Sequence, residues 1–540
     1  MAVEQYTDVA TRHWTENAGS VLLPEMSTRY DAVIVGGGHN GLVAACYLAR
    51  AGRRVLILEK NQALGGASVS QRLFPDYDAR LSRYSYLVSL FPDRLVQELG
   101  LNLRLLDRQI ASYTPYGNGQ GLLISNQDPE PSRRQISAFG PGEWRGYQAL
   151  MEKQRAFAEI VWDSLLEPLK SRCEWEQIFR DAGRPELWQE FVERPIGELI
   201  ETHLTSDLLR GIVFTDAKIG ANAGAHDASL LQNRTFLYHV IGNRTGDWRV
   251  PEGGMGELTR QLAECARQAG AQWRLGAEVV DTEVAPVGHR VWFRQNATEQ
   301  DITTEHLLWN ATPPSRRRPD PSGIDEGTSF KINMLLQRLP QPIDPQVTPE
   351  QAFAGTLHID EGYAQLEAAR QSAQRGQIPD TPAGEIYCHT LTDPSILSAG
   401  LRREGYHTLT YFGLDLPYGL FVDDNEGAKQ AVVANVFKGL NRYLVSPLET
   451  CLALDSRGRP CLEAKSPVDL EAELGLPRGN IFHKGLSWFF AEDDAEVGGY
   501  GVETAQANEW ICGSSARRGG AVSGIPGRNA AIAVLNAYGR

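Results

Sequence analysis

Residues 31–42 read DAVIVGGGHNGL, and this stretch decides the fold. Ala32 to Val35 form a continuous apolar run, as found in parallel strands that are buried on both faces. Three glycines follow at once, and Leu42, Ala45 and Leu48 then recur at helical spacing. The stretch predicts a buried strand, a glycine turn and a helix.

The glycines of this turn have separate steric roles. Gly36 permits a tight turn, Gly38 lets the backbone approach a pyrophosphate, and Gly41 lets the helix pack against the strand. The helix N-terminus offers N–H donors and a partial positive charge to phosphates. A second apolar run from Val55 ends at Glu59, 18 residues after Gly41, where a carboxylate accepts hydrogen bonds from a ribose diol. The unit predicts a Rossmann-type dinucleotide site.

A second glycine pair bears on which dinucleotide binds. Residues 65–68 read GGAS and begin six residues after Glu59, where they can bring another backbone N–H group to the phosphates or to a ribityl chain. Nicotinamide enzymes do not generally need such a loop, whereas many FAD enzymes have it. A further segment, PEGGMG at 251–256, leads into a predicted helix, and strands are predicted at 272–275, 277–280, 291–293 and 307–311. The pattern favours FAD and a discontinuous cofactor domain.

The C-terminal block repeats this organisation. Residues 510–531 contain an apolar strand, a glycine-rich loop and a helix that begins near Val522. The N-terminus of that helix is a second place where negative charge is stabilised.

Composition excludes several classes of protein. The chain has 540 residues, with 53 Lys and Arg against 67 Asp and Glu, and its net charge of −14 disfavours nucleic acid as a partner. Seven scattered cysteines without a CxxC pair fit a reducing compartment and exclude dithiol redox chemistry. We expect a cytoplasmic protein without a transmembrane segment, since no apolar run reaches the length that spans a bilayer. No HExxH or GxSxG motif occurs, so no metal is assigned.

The three glycine-bearing blocks together resemble the phytoene-desaturase-like family of FAD-dependent oxidoreductases, including the pyridine nucleotide-disulphide oxidoreductase domain-containing proteins and the carotenoid desaturases and ketolases. The resemblance spans residues 29–540. It implies noncovalent FAD along Gly36 to Glu59, the adenine near Val279, and the pyrimidine edge of the flavin near residues 521–523.

The resemblance also implies an α/β fold, in which a Rossmann-type FAD-binding domain of the GR2/amine-oxidase type is interleaved with an α+β substrate domain. Residues 1–28 form an extension that is either a short amphipathic helix or a frayed tail. The expected boundaries are 1–28 for the extension, 29–80, 240–325 and 475–540 for the FAD-binding domain, and 81–239 and 326–474 for the substrate domain.

The motifs and the resemblance assign twenty residues to the cofactor. For one of them, Asn310, the sequence leaves two interpretations, a turn residue or a neighbour of FAD. The twenty residues are Gly36, Gly38, His39, Asn40, Gly41, Glu59, Lys60, Gly65, Gly66, Ala67, Ser68, Val279, Asn310, Ala311, Gly513, Ser514, Gly520, Ala521, Val522 and Ser523.

Six residues are candidates for catalysis or substrate binding. Arg517 and Arg518 stand where relatives often have His-Pro. A guanidinium there would contact the reduced flavin or a substrate carboxylate. The alternative is that both arginines point to solvent and balance the negative charge of the nearby acidic loop. The other candidates are His239, His483, Tyr84 and Tyr86. The alternative for the two histidines is a purely structural role, and the alternative for the two tyrosines is a packed aromatic ring.

The expected function is removal of hydride from a C–H or C–N bond of a small organic substrate, polar or acidic, with electrons passed to oxygen, a quinone or another acceptor. The sequence contains no second GxGxxG unit for NAD(P)H. A flavin-dependent isomerase without net redox change and a non-catalytic binding protein on the same scaffold are the alternatives. The oligomeric state is not specified by the sequence.

Overall fold

The computed structural model describes residues 29–117, 119–313 and 326–539, so the expected extension at 1–28 lies outside the described residues. Within these ranges, most strands belong to two seven-stranded sheets. The strands are β1 (Arg29–Val35), β2 (Val55–Glu59), β3 (Ser70–Gln71), β4 (Leu81–Ser82), β5 (Leu105–Leu106), β6 (Ile110–Tyr116), β7 (Gln120–Ser125), β8 (Val250–Pro251), β9 (Gln272–Leu275), β10 (Glu278–Val284), β11 (His289–Gln295), β12 (Thr298–Trp309), β13 (Phe330–Leu336), β14 (Thr356–Ile359), β15 (Gly384–Tyr387), β16 (His407–Gly413), β17 (Leu462–Lys465) and β18 (Glu509–Ile511).

Helices connect and cover the sheets, and none in the described ranges combines the length and apolar character needed to cross a membrane. The helices are α1 (His39–Arg50), α2 (Asp93–Leu99), α3 (Pro129–Ser137), α4 (Glu143–Val161), α5 (Arg172–Asp181), α6 (Pro185–Trp188), α7 (Ile196–His203), α8 (Asp207–Phe214), α9 (Leu231–Val240), α10 (Met255–Gln268), α11 (Pro349–Phe353), α12 (Tyr363–Gln374), α13 (Ala399–Arg403), α14 (Asn425–Asn441), α15 (Pro467–Leu474) and α16 (Ile525–Tyr538).

Sheet 1 has the strand order β10-β11-β12-β1-β2-β9, and β18 also pairs with β12. Its centre is parallel, because β1 pairs in parallel with both β2 and β12. The apolar side chains of β1 and β2 are buried on both faces, and α1 packs on this sheet between α10 and α16. The predicted strand, glycine turn, helix and second strand are therefore confirmed, and the fold is α/β with a Rossmann-type domain.

Sheet 2 has the order β17-β13-β16-β15-β14-β6-β7 and is mostly antiparallel. Successive side chains of a strand point to opposite faces, so each strand contributes to two environments. One face packs on α14 in an apolar core that includes Ile332, Leu357, Ile386, Leu409 and Tyr411. The other face lines the cavity described below.

The C-terminal block differs slightly from its prediction. The strand at Glu509–Ile511 pairs in parallel with β12, as the apolar run indicates. The helix begins at Ile525 rather than near Val522, because Ala521 and Gly524 have φ values of +40° and +68° and interrupt helical geometry. The domain boundaries remain a prediction.

Candidate active site

One cavity of about 710 Å³ lies between the carboxyl edge of sheet 1 and the open face of sheet 2. We call the part next to the glycine turn the turn half, and it is lined by residues such as Gly38 and Glu59. The part against sheet 2 is called the sheet half, and it is lined by residues such as Arg108, Lys331 and His358. A single space therefore joins the dinucleotide turn to a set of ionisable side chains.

The glycine turn leaves β1 and enters α1, and no side chain caps the N-terminus of that helix. Gly36 has a φ of +101°, which requires glycine, and Gly38 is the N-cap of α1 without a side-chain cap. The Asn310 side-chain amide donates to the carbonyl oxygen of Gly36 at 3.0 Å. The side-chain oxygen of Asn40, a residue only 1% exposed, has no hydrogen-bond partner in the described chain. Because Gly38 has no side chain to cap α1, the N-terminus of that helix is open to an anionic ligand.

Glu59 is held at the end of β2 by two backbone donors. Its Oε2 accepts a hydrogen bond from the Gly37 N–H at 2.7 Å, and its Oε1 accepts one from the Asn61 N–H at 2.8 Å. Each carboxylate oxygen has a further lone pair, so both bonds leave acceptor capacity toward the cavity. This geometry fits the predicted role with a ribose diol.

The second glycine loop touches the first. The Gly65 N–H donates to the carbonyl oxygen of Gly37 at 2.9 Å. A Cβ atom at Gly66, where φ is +57°, would lie 3.2 Å from the Cα of Gly38. The two loops therefore form one wall of backbone along the turn half.

His39 links these loops to the C-terminal block. Its Nε2 donates to the carbonyl oxygen of Ala521 at 3.1 Å, and its Nδ1 accepts a hydrogen bond from the Ser68 hydroxyl at 3.3 Å. Burial lowers the pKa of His39 to about 4, so the ring is neutral at pH 7. The three glycine-bearing segments are thus held together by one uncharged imidazole.

The cofactor assignments divide into residues that line the cavity and residues that do not. Those that line the cavity are Gly36, Gly38, His39, Asn40, Glu59, Lys60, Gly66, Ala67, Val279, Asn310, Ala311, Ser514, Ala521 and Val522. Six assigned residues do not line the cavity: Gly41, Gly65, Ser68, Gly513, Gly520 and Ser523. A Cβ at Gly41 would lie 2.5 Å from the carbonyl oxygen of Gly36.

Both candidate histidines line the cavity, and both are neutral at pH 7. The His239 Nδ1 donates to the carbonyl oxygen of Thr235 at 2.8 Å, and the His483 Nδ1 lies 3.2 Å from the Thr312 hydroxyl. Burial lowers the pKa of each ring to about 4. Each histidine has a structural hydrogen bond and also forms part of the cavity wall.

The expectation that Arg517 and Arg518 reach flavin or substrate is wrong. Arg517 forms ion pairs with Glu492 and Glu496 of the acidic loop, outside the cavity lining. Arg518 is 5% exposed, and it donates from Nε to the carbonyl oxygen of Phe489 at 3.0 Å and from Nη1 to that of Leu165 at 3.3 Å. The carboxylates of the acidic loop therefore hold Arg517, and buried backbone carbonyls hold Arg518.

Tyr84 and Tyr86 line the cavity in different ways. The Tyr84 hydroxyl donates to Glu473 at 2.6 Å. The Tyr86 ring packs against Tyr387, with 4.8 Å between ring centroids, and Lys331 Nζ lies 4.7 Å from the centre of the Tyr86 ring. Tyr86 therefore forms an aromatic wall where the two halves of the cavity meet.

A row of side chains across sheet 2 was missed by the sequence reasoning. The register places residues of β13, β16, β15 and β14 directly beside one another on the cavity face, in the order Lys331, Phe412, Glu385 and His358. The signal that would have revealed them is a single ionisable residue inside an otherwise apolar strand, as in FKINMLL and TLHI. Charged side chains are almost never fully buried unless they are paired.

The ionisable groups of the sheet half are strongly perturbed. Burial, followed by the neighbouring charge of Glu361, raises the pKa of Glu385 to about 8. Burial also raises the pKa of Asp216 to about 7 and lowers that of Lys331 well below its usual range. Perturbed groups in a cleft are typical of functional sites.

Residues 34–98 match the NAD(P)-binding Rossmann-like domain family. The chain is 43% identical over 520 residues to the uncharacterized protein Rv0897c of Mycobacterium tuberculosis, covering 94% of this chain and 97% of that protein. It is 28% identical over 570 residues to pyridine nucleotide-disulfide oxidoreductase domain-containing protein 2 of Mus musculus, covering 94% of each. Cyclohexylamine oxidase from Brevibacterium oxydans has a similar fold, with a TM-score of 0.53 at 15% identity over 95% of this chain and 100% of that one.

We predict that Gly38→Val abolishes dinucleotide binding while the protein stays folded. Gly38 has a φ of −72° and a ψ of 173°, and valine adopts these angles without strain. The added side chain should therefore block the approach of the pyrophosphate without distorting the backbone. Gly41→Ala is the contrasting variant, because its methyl group would meet the Gly36 carbonyl and should destabilise the protein by about 1–3 kcal/mol. Flavin absorbance and urea unfolding distinguish the two; full flavin content in the Gly38 variant would contradict the assignment.

We predict that His239 makes the protein sensitive to acid. Its pKa is about 4 when folded and about 6.5 when unfolded, so between these values the unfolded state binds the extra proton and stability falls as pH falls. From pH 7 to pH 5 the wild type should lose about 2 kcal/mol more unfolding free energy than His239→Gln. Urea unfolding at both pH values measures this, and equal losses in the two proteins would refute it.

Proposed function

We propose that this chain, which belongs to the phytoene-desaturase-like family of FAD-dependent oxidoreductases, binds one noncovalent FAD in the turn half of the cavity and oxidises a small polar substrate in the sheet half. The observation that carries the proposal is the continuity of the cavity from the glycine turn to the ionisable face of sheet 2. A substrate bound in the sheet half would lie beside the cofactor without crossing solvent.

The residues of the turn half fit FAD. The open N-terminus of α1 and the backbone around Gly38 would hold the pyrophosphate, and Glu59 would hold a ribose. Val279 would lie beside the adenine, and Ala521 and Val522 beside the flavin ring. When bound there, FAD supplies an acceptor for a hydride from a C–H bond of the substrate.

The residues of the sheet half would bind and orient the substrate. The rings of Tyr86, Tyr387 and Phe412 form an aromatic wall, which excludes water from the substrate. Arg108 donates from Nε to the carbonyl oxygen of Trp248 at 3.1 Å and from Nη1 to Thr356 Oγ1 at 2.8 Å.

The remaining Nη2 of Arg108 has no hydrogen-bond partner within the described ranges. A guanidinium that is fixed at two positions and free at a third suits a carboxylate or another polar oxygen of a substrate. This supports the polar or acidic substrate class, with Arg108 in the role that the sequence gave to Arg517 and Arg518.

The electrons would leave to oxygen, a quinone or another acceptor. The nucleotide-binding match covers residues 34–98, and the glycine-turn unit found there is the one assigned to FAD. No observation favours the isomerase or the non-catalytic binding protein.

The purified protein should be yellow and should release FAD on denaturation. NADH and NADPH should reduce its flavin poorly under anaerobic conditions, because FAD would take the glycine-turn unit of residues 34–98 and the sequence contains no second GxGxxG unit. Small polar or acidic candidate substrates, mixed anaerobically while the flavin absorbance is followed, should bleach it. A colourless protein that FAD does not reconstitute, or rapid stoichiometric bleaching by either nicotinamide, would overturn the proposal.

Arg108→Met should raise the KM for the substrate at least tenfold, which corresponds to about 1.4 kcal/mol of lost binding. Arg517→Met is the matched control, because it removes a guanidinium whose ion pairs lie outside the cavity. Flavin content and melting temperature establish that both variants are intact. A KM that changes equally in the two variants would remove Arg108 from the substrate site.

A further inference from the structure

Three buried side chains of the sheet half converge on one point. His358, Glu361 and Glu385 each offer one nitrogen or oxygen atom, and these atoms lie within 4.8 Å of one another. The residues are 5%, 1% and 3% exposed, respectively. This arrangement is distinct from the residues assigned to FAD and is not used by the proposed function.

The fold sets the positions of all three. His358 on β14 and Glu385 on β15 are direct cross-strand partners, so their side chains lie on the same face of sheet 2. Asp360 has a φ of +58° and turns the chain after β14. Glu361 thereby returns to His358, whose Nδ1 donates to Glu361 Oε2 at 2.5 Å.

One carboxylate oxygen of this cluster has no partner. Glu361 Oε1 is buried and accepts no hydrogen bond from any described residue. A buried acceptor left without a donor costs about 1–3 kcal/mol, and more when it is charged. The orphaned oxygen indicates that a ligand belongs in the cluster.

The cations nearby do not fill this role. Lys331 donates to the carbonyl oxygens of Ser82 and Tyr84 at 2.7 and 2.8 Å, and Arg108 bonds to Trp248 and Thr356 as described above. Within the described ranges, neither forms an ion pair with Glu361 or Glu385. The tyrosine next to the cluster, Tyr387, donates its hydroxyl to Glu385 and so orients that carboxylate.

We propose that His358, Glu361 and Glu385 bind one divalent transition-metal ion of the zinc type. One imidazole nitrogen and two carboxylate oxygens form a three-residue ligand set that suits Zn²⁺. His358 and Glu385 line the cavity, so the fourth coordination position faces the sheet half, where water or an oxygen of the substrate would complete it. Binding would replace the hydrogen bond between His358 and Glu361, and the two atoms would separate to about 3.4 Å, the spacing of ligands around tetrahedral zinc.

The sequence predicts no metal site because these three ligands form no recognised motif. His358 and Glu361 are three residues apart, and Glu385 comes from the next strand in sheet 2. The proposed ion is independent of FAD binding, so either proposal can fail without the other.

The test is the zinc content of the purified protein, with or without bound flavin, after incubation with ZnCl₂ and desalting. A Cys173→Ser background removes the exposed thiol as a competing ligand. We expect one zinc per chain, and at least a tenfold weaker affinity in His358→Asn and in Glu385→Gln. His306→Asn is the matched control, since His306 is a buried histidine of sheet 1 and should leave zinc binding unchanged.

Melting temperature and circular dichroism without metal establish that each variant is folded. A second measurement needs no variant: Co²⁺ added to the unmutated protein should give the visible absorption of a four-coordinate site at one ion per chain. Absence of retained zinc, zinc retained equally by the His358 and Glu385 variants, or absence of the Co²⁺ absorption would overturn the proposal.

Discussion

The parallel pairing of β1 with both β2 and β12 is the constraint on which the cavity depends. Carboxyl ends of parallel strands meet at one edge of a sheet, so the glycine turn, Glu59 and Asn310 come together there. The amide of Asn310 donates to the Gly36 carbonyl and joins the turn after β1 to the end of β12. A Cβ at Gly36 would lie 3.3 Å from the backbone nitrogen of Ala311, so this edge accepts no bulkier residue there.

The same edge gathers segments that are far apart in the chain. His39 at the start of α1 bonds to Ser68 in the second glycine loop and to Ala521 in the C-terminal block. Because the imidazole is buried and neutral, it joins these segments without adding a charge to the turn half. The wall of the turn half is consequently made largely of backbone, as close approach to a pyrophosphate requires.

Sheet 2 supplies the opposite wall through the two-residue period of its strands. One face is apolar and packs on α14, while the other presents Lys331, Phe412, Glu385 and His358 in one row. Placing several ionisable groups on a buried face costs free energy, and the shifted pKa values of Glu385 and Lys331 reflect that cost. The chemistry attributed to the cavity thus depends on a face that contributes little to the apolar core.

The sequence by itself determined the Rossmann-type unit, since each of its signals is local. An apolar run, glycines at fixed spacing and Glu59 at a strand end specify strand, turn, helix and strand without reference to the rest of the chain. Only the tertiary structure decided the direction of Arg517 and Arg518, because a loop residue points toward whichever acceptors the fold brings close, here the acidic loop and buried carbonyls. It also decided the row on sheet 2, because cross-strand register joins residues such as Lys331 and Glu385 through pairings that no local pattern records.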